Sequence, residues 1–324
     1  MKDGQKFHIG YFADGPWAHE SFKKLISDDS IQIDFICVRY ETRDPVLCGF
    51  AKKYDIKLFC VPNINSEDFI EQMRHINSDL FVSMSFNQIF KTTMINLPRL
   101  KTINCHAGKL PFYRGRNILN WALINDEKEF GITVHYIDEG IDTGDIILQD
   151  TYPITDEDDY GTLLEKAYTG CADILYRAIK LIQSGKATRT QQDTIDPVGL
   201  YCGIRTTGDE IINWNQSSRR IFNFVRAITR PAVGATTYLN GNEVKIYKVE
   251  MIPGAHEYIN TPGQILKRDS EGIYVKTLDT MVKIVDYEAG CHIRVGDKFK
   301  NGSNILIGGG KHKYLDNYLA GAVA

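Results

Sequence analysis

The sequence predicts an α/β fold: a doubly wound, mostly parallel sheet followed by a smaller C-terminal β-barrel. Three observations predict it. Short β-rich apolar runs alternate with longer amphipathic ones through the first two-thirds of the chain, the pattern of parallel strands joined by crossover helices. After Gly185 that alternation stops, and a polar stretch leads into short, closely spaced strands. The 324 residues are 43% hydrophobic and 24% charged, which excludes disorder and coiled coil and suits about two domains.

The elements follow in order. Phe7–Phe12, Ile31–Val38, Lys57–Val61, Leu80–Met84 and Thr102–Cys105 are apolar runs bounded by polar or turn residues, so each is expected to be a strand. Ser66–His75 has helical spacing, with Ser66 placed to cap the first turn and Glu67 and Asp68 suited to the helix dipole. Gly131–Ile137 and Asp145–Gln149 are further strands, and a long helix runs from Tyr160 to about Ser184, ended by Gly185. Lys186–Asp196 is polar and linker-like. Beyond Tyr201 the sequence predicts a helix over Ser217–Ile228 and strands at Ala235–Leu239, Glu243–Val249, Gly272–Thr277 and Met281–Tyr287, with a hairpin turn at Asn240-Gly241-Asn242. The expected domains are 1–200 and 201–300, and the tail 301–324 receives no assignment.

Charge and cysteine usage narrow the function classes. The formal net charge is −3, and Arg205–Lys300 carries 14 basic against 11 acidic residues, far from a polybasic surface, so no nucleic-acid partner is expected. Seven scattered cysteines with no C-x-x-C pair argue against a disulfide framework and a zinc site. No run approaches 18 apolar residues and no apolar signal region follows the N-terminus, so the expectation is a cytoplasmic protein without a membrane span.

The densest polar cluster is Asn104-Cys105-His106-Ala107-Gly108-Lys109-Leu110-Pro111-Phe112-Tyr113-Arg114-Gly115-Arg116. Asn104 and His106 are two apart at a strand end, so their side chains share a face, at the carboxyl edge where open α/β sheets place ligands. Cys105 points the other way, into the core. A second element, Asp138-Glu139-Gly140-Ile141-Asp142-Thr143-Gly144, also follows a strand and is expected at the same edge, its glycines allowing a sharp turn that presents Asp142. Together Asn104, His106 and Asp142 make an acyl-transfer set. The imidazole takes a proton from an attacking amine and returns it to the leaving group, the carboxylate orients the ring, and the amide donates to a developing oxyanion. Taken alone, Asn104 and His106 serve equally as a strand end satisfying loop amides, and Asp142 between glycines is also ordinary turn composition.

These residues carry a resemblance. Asn104-x-His106, Leu110-Pro111 with Tyr113-Arg114-Gly115, and Asp138-x-Gly140-x-Asp142-Thr143-Gly144, with His106 and Asp142 36 residues apart, are similar to the folate-dependent formyltransferases. The resemblance runs from about Phe7 to Tyr287. It implies a Rossmann-like catalytic domain, an OB-like C-terminal domain, Asn104, His106 and Asp142 as catalytic residues, and N10-formyltetrahydrofolate as co-substrate without a metal. It places the folate against Met84, Phe86, Ile89 and Gly140, although Phe86 and Ile89 also suit plain cleft-wall packing.

Within that family, the stretch from Tyr113 through Trp121 is most similar to the enzymes acting on nucleotide-linked amino sugars. The resemblance therefore implies a dTDP-linked 3- or 4-amino-deoxy sugar as acceptor, destined for surface polysaccharide, with methionyl-tRNA as the alternative; a homodimer is also consistent with it. Lys109, Tyr113, Arg114 and Arg116 are the expected acceptor contacts, a diphosphate needing only one or two cations. The first βα turn, Ala13-Asp14-Gly15-Pro16-Trp17, lacks the dinucleotide-binding glycine pattern but lies where such folds bind ligands, so Asp14 and Trp17 join the acceptor list. Trp17 suits helix–sheet packing equally well.

Overall fold

The computed structural model describes residues 6–300. The unassigned 301–324 segment lies outside them. The chain divides into two units: one takes residues up to Arg114, Phe130–Tyr152 and Glu165–Tyr201, and the other Gly115–Glu129, Pro153–Leu164 and residues from Cys202 onward.

The elements of the first half are β1 (Phe7–Ala13), α1 (Gly15–Ile26), β2 (Ile31–Cys37), α2 (Pro45–Lys53), β3 (Lys57–Phe59), α3 (Glu67–Ile76), β4 (Leu80–Met84), α4 (Thr92–Ile95) and β5 (Thr102–His106). Then come the short β6 (Arg114–Gly115), α5 (Ile118–Ile124), β7 (Glu129–Tyr136), β8 (Ile146–Pro153) and α6 (Tyr160–Gln183). The seven-stranded sheet has the order β3-β2-β1-β4-β5-β7-β8. Its pairings from β3 through β5 are parallel, as apolar runs joined by helices require, whereas β7 runs antiparallel to β5. This is the Rossmann-like sheet that the strand–helix alternation predicts.

Local chemistry sets the helix starts. Asp44 caps α2, its carboxylate accepting from Val46 N and Leu47 N, and Pro45 opens the first turn. Ser66 precedes α3 as expected but makes no side-chain cap bond; its carbonyl, accepting from Ile70 N, begins the helix instead. Around Phe12 the rings of Phe35, Phe81, Phe86 and Phe90 stand edge-on at 4.9–5.5 Å, forming an aromatic core beneath the carboxyl ends of β1 and β4.

Lys186–Asp196 is more than a linker. Thr190 exchanges two backbone hydrogen bonds with Ile146, and Gln192, in a short 3₁₀ turn (Gln192–Thr194), is 3% exposed.

The second unit has α7 (Ser218–Ile228), capped by Ser217, and strands β10 (Ala235–Leu239), β11 (Asn242–Met251), β12 (Ile265–Arg268), β13 (Ile273–Lys276) and β14 (Met281–Ala289); the two-residue β9 (Tyr201–Cys202) precedes them and pairs with β6. The sheet is antiparallel, ordered β10-β11-β14-β13-β12. Lys300 bridges to Tyr238 near one edge and Lys298 to Gln264 near the other, which draws the two edges together. Asn240 and Gly241 both adopt positive φ (50° and 83°), the tight hairpin turn expected from their sequence. β12 was not expected. No helix among the described residues is long and apolar enough to cross a membrane.

Candidate functional site

Strand register lines up the ligand edge. Ala13 pairs with Met84 and Met84 with Cys105, so Asp14, Ser85 and His106 stand one residue further along three neighbouring strands, successive strands about 4.8 Å apart. Arg39, just past β2, joins the row. Its guanidinium pairs with Asp14 (Nη1 to Oδ2, 3.1 Å) and donates to the carbonyl and hydroxyl of Ser85. Burial raises the Asp14 carboxyl above its ordinary value, against the opposing pull of Arg39.

At the centre, Asp142 lies between two imidazoles: Oδ2 is 3.6 Å from His106 Nδ1, and Oδ1 is 3.5 Å from His135 Nε2. His106 Nε2 donates to the Tyr113 carbonyl at 2.7 Å. His135 Nδ1 donates to the Tyr136 carbonyl at 2.8 Å, and its Nε2 stands 3.3 Å from Asn104 Nδ2 as well as beside Asp142 Oδ1. The three residues of the expected set therefore meet in one cluster, with His135 as a fourth member. Cys105 faces away, its thiol against the Cys171 carbonyl and pushed up by burial.

The path of the chain to Asp142 differs from the expected one. β7 is antiparallel to β5, with Ile103 opposite Tyr136 and His106 opposite Thr133, so the chain leaves β7 at the edge where β5 begins. Residues 137–145 then double back, with Tyr136 N donating to Asp145 O at 2.9 Å, and Asp142 returns to the His106 end. The positive φ (55°) belongs to Asp142 itself, not to the bracketing glycines. Gly140 and Gly144 are needed for close approach: a Cβ at either would stand 1.9 Å from Thr143 Oγ1 or from the Tyr136 carbonyl. Tyr113, which holds His106, and Ser85 also have positive φ (59° and 57°), so three non-glycine residues in this sparsely populated conformation surround the site.

The remaining expected contacts divide. Met84 is buried in the core, its carbonyl accepting from Asp14 N, so its side chain is not a ligand wall. Phe86 is half-buried against Phe12 and Phe90, while Ile89 is 54% exposed. The Gly140 amide donates to Asp138 Oδ1. Trp17 stacks edge-on against Tyr168 at 4.7 Å, the packing alternative. Lys109 lies along Gly131 of β7. Arg114 is not poised for a diphosphate: it is 7% exposed, and its Nε and Nη2 donate to Gln192 Oε1 at 3.0 and 2.8 Å. Arg116 is exposed and belongs to the second unit. Sequence reasoning missed His135, Arg39 and Gln192. His135 comes opposite Asn104 only because β7 pairs antiparallel to β5, which its sequence does not signal.

The first unit thus holds a Rossmann-like sheet with an Asn-His-Asp cluster at one edge, and the second an antiparallel sheet. Residues 43–179 match the formyl transferase family and residues 205–304 match the formyl transferase C-terminal domain. The chain belongs to the formyltransferase family. It is 35% identical to a methionyl-tRNA formyltransferase of Syntrophus aciditrophicus over 74% of this chain and 75% of that one. A methionyl-tRNA formyltransferase of Halothermothrix orenii is 32% identical over 93% of this chain and 98% of its own. Among solved structures, the sugar 3N-formyltransferase WlaRD, determined with dTDP and 5-N-formyl-THF, shares the fold with a TM-score of 0.65 at 22% identity, over 90% of this chain and 100% of that one.

These findings correct the acceptor. The nucleotide-linked amino sugar rested on the short stretch after His106, whereas likeness across most of the chain is to methionyl-tRNA formyltransferases, and the sugar enzyme shares the fold alone. Net charge averages over a whole unit whereas a nucleic-acid contact is a local patch, so a net charge of −3 does not exclude such a partner.

Proposed function

We propose that this chain transfers the formyl group of N10-formyltetrahydrofolate to the α-amino group of methionyl-tRNA. The observation that carries the acceptor is identity of 35% and 32% to two methionyl-tRNA formyltransferases over 74% and 93% of the chain. The geometry of Asn104, His106 and Asp142 supports the chemistry.

The deprotonated amine attacks the formyl carbon and the carbonyl electrons move to oxygen. Asn104 Nδ2–H, steadied by His135, donates to that oxyanion. Both nitrogens of His106 face oxygens, Tyr113 O and Asp142 Oδ2, so a doubly protonated ring satisfies both and adds positive charge beside the intermediate. Asp142 takes the proton lost by the attacking nitrogen and returns it to N10 as the tetrahedral carbon collapses, so one N–H is consumed, one is formed and the carboxylate is regenerated. Phe86 and Ile89 offer the apolar wall for the pterin, and Arg39 with Asp14 closes the neighbouring strand ends.

The test incubates the protein with N10-formyltetrahydrofolate and either methionyl-tRNA or free methionine. Formylated methionyl-tRNA is expected at a rate that falls steeply with salt, because the acceptor carries many phosphates. Equal use of free methionine, or no product from the charged tRNA, would sink the reading.

A further inference from the structure

We propose that Gln192 is a positioning residue for the transfer, a buried carboxamide that locks the Asp142 loop to the loop holding His106. This rests on the reading that His106 and Asp142 carry the chemistry. Gln192 uses every hydrogen-bonding position of its side chain. Oε1 accepts from Arg114 Nε and Nη2 (3.0 and 2.8 Å), while Nε2 donates to the Asp142 and Gly144 carbonyls, both at 2.8 Å. Arg114 follows Tyr113, whose carbonyl holds His106 Nε2. Its own backbone N–H is tied to the Leu200 carbonyl at 2.9 Å, and its Nη1 donates to the Val198 carbonyl at 3.3 Å.

A continuous polar strut therefore runs from the backbone of Asp142 through Gln192 and Arg114 to the residue that fixes the imidazole. Both of its ends are in strained conformations, with φ of 55° at Asp142 and 59° at Tyr113. Backbones held in that region persist only when their surroundings over-determine them, and two carbonyl bonds from one amide do so at Asp142. The fit around Arg114 is equally tight: a Cβ on Gly199 would stand 2.7 Å from Nη1 and from the Pro111 carbonyl.

The variants separate the two ends. Gln192→Glu keeps the acceptor for Arg114 but turns an oxygen toward the Asp142 and Gly144 carbonyls. Gly199→Ala leaves Gln192 intact and displaces Arg114. Displacement of a catalytic group by about 1 Å costs on the order of 10²-fold in rate. Gln192→Glu is therefore expected to lose about that much kcat, with KM for folate within about threefold, and Gly199→Ala to lose about tenfold or more. In a background carrying both His106→Asn and Asp142→Asn, Gln192→Glu should cost less than about threefold, because the two groups it positions are already gone. A merely structural role would cost the same factor in both backgrounds.

Histidine-ring ¹⁵N spectra give a readout independent of the acceptor. The His106 signals should move in Gln192→Glu while those of His8 stay in place. If Gln192→Glu does not fold, Gly199→Ala decides. Loss of activity in His106→Asn with wild-type kcat and unchanged His106 signals in both strut variants would overturn this proposal alone; full activity in His106→Asn would overturn the reading beneath it.

Discussion

Replacing Asp142 by Asn keeps the shape of the side chain and removes its charge. The carboxylate is 3.6 Å from His106 Nδ1 and its side chain is 14% exposed. A full charge pair at that distance is worth about 4–5 kcal/mol at an effective dielectric of 20. The amide dipole of Asn recovers part of that, so the transition state should lose about 3–4 kcal/mol, or roughly 10²–10³ in kcat. The fold should survive, because Gln192 binds the backbone carbonyl of residue 142 and not its side chain. The assay is single-turnover formyl transfer with saturating folate, paired with equilibrium folate binding. A kcat within threefold of wild type would refute the reasoning, since a carboxylate at that position would then contribute nothing to the barrier.

Further outcomes follow from the same geometry. Gly108→Ala would place a methyl group 2.4 Å from both His106 Nε2 and the Tyr113 carbonyl, so it should abolish their hydrogen bond and lower kcat by about 10²-fold with folding retained, checked by kinetics and circular dichroism. Phe12→Ala removes the ring at the centre of the aromatic core and should destabilise by about 3–5 kcal/mol in a denaturant titration. Hydrogen bonding to Arg219 holds the carboxyls of Asp126 and Asp156 below the usual range. Folded values below the unfolded ones mean that this stabilisation is present above the unfolded pKa of about 4 and is lost as pH falls below it. Arg219→Met should therefore lower the melting temperature at pH 7 and flatten its decline below about pH 4, read by melting curves across pH.

β1, β2, β4 and β5 were legible because each is an apolar run that the sheet largely buries, and the edge strand β3, exposed at Lys57 and Leu58, was legible as a short apolar run between polar residues. β12 was not, since Ile265-Leu266-Lys267-Arg268 has only two apolar residues and owes its place to pairing with β13. The meeting of Asn104, His106 and Asp142 was legible from the strand-end motifs that hold them. His135 was not, because its nearness to Asn104 depends on β7 reversing direction, which strand propensity alone does not specify. Gln192 sits in a polar run whose composition signals a linker, yet it is buried because three carbonyl and guanidinium partners converge on it from loops distant in sequence. Arg114 shows the converse. A cation in a ligand-edge loop invites an anion, but tertiary packing turned this one inward.

The most direct test follows a ¹³C-labelled formyl group from N10-formyltetrahydrofolate in the presence of methionyl-tRNA, using the wild-type protein and His106→Asn side by side. The account predicts label on the methionine nitrogen of the charged tRNA with the wild-type protein, and a rate at least about 10²-fold lower with the variant. Label that stays on folate, or that reaches the tRNA equally fast with either protein, would contradict it.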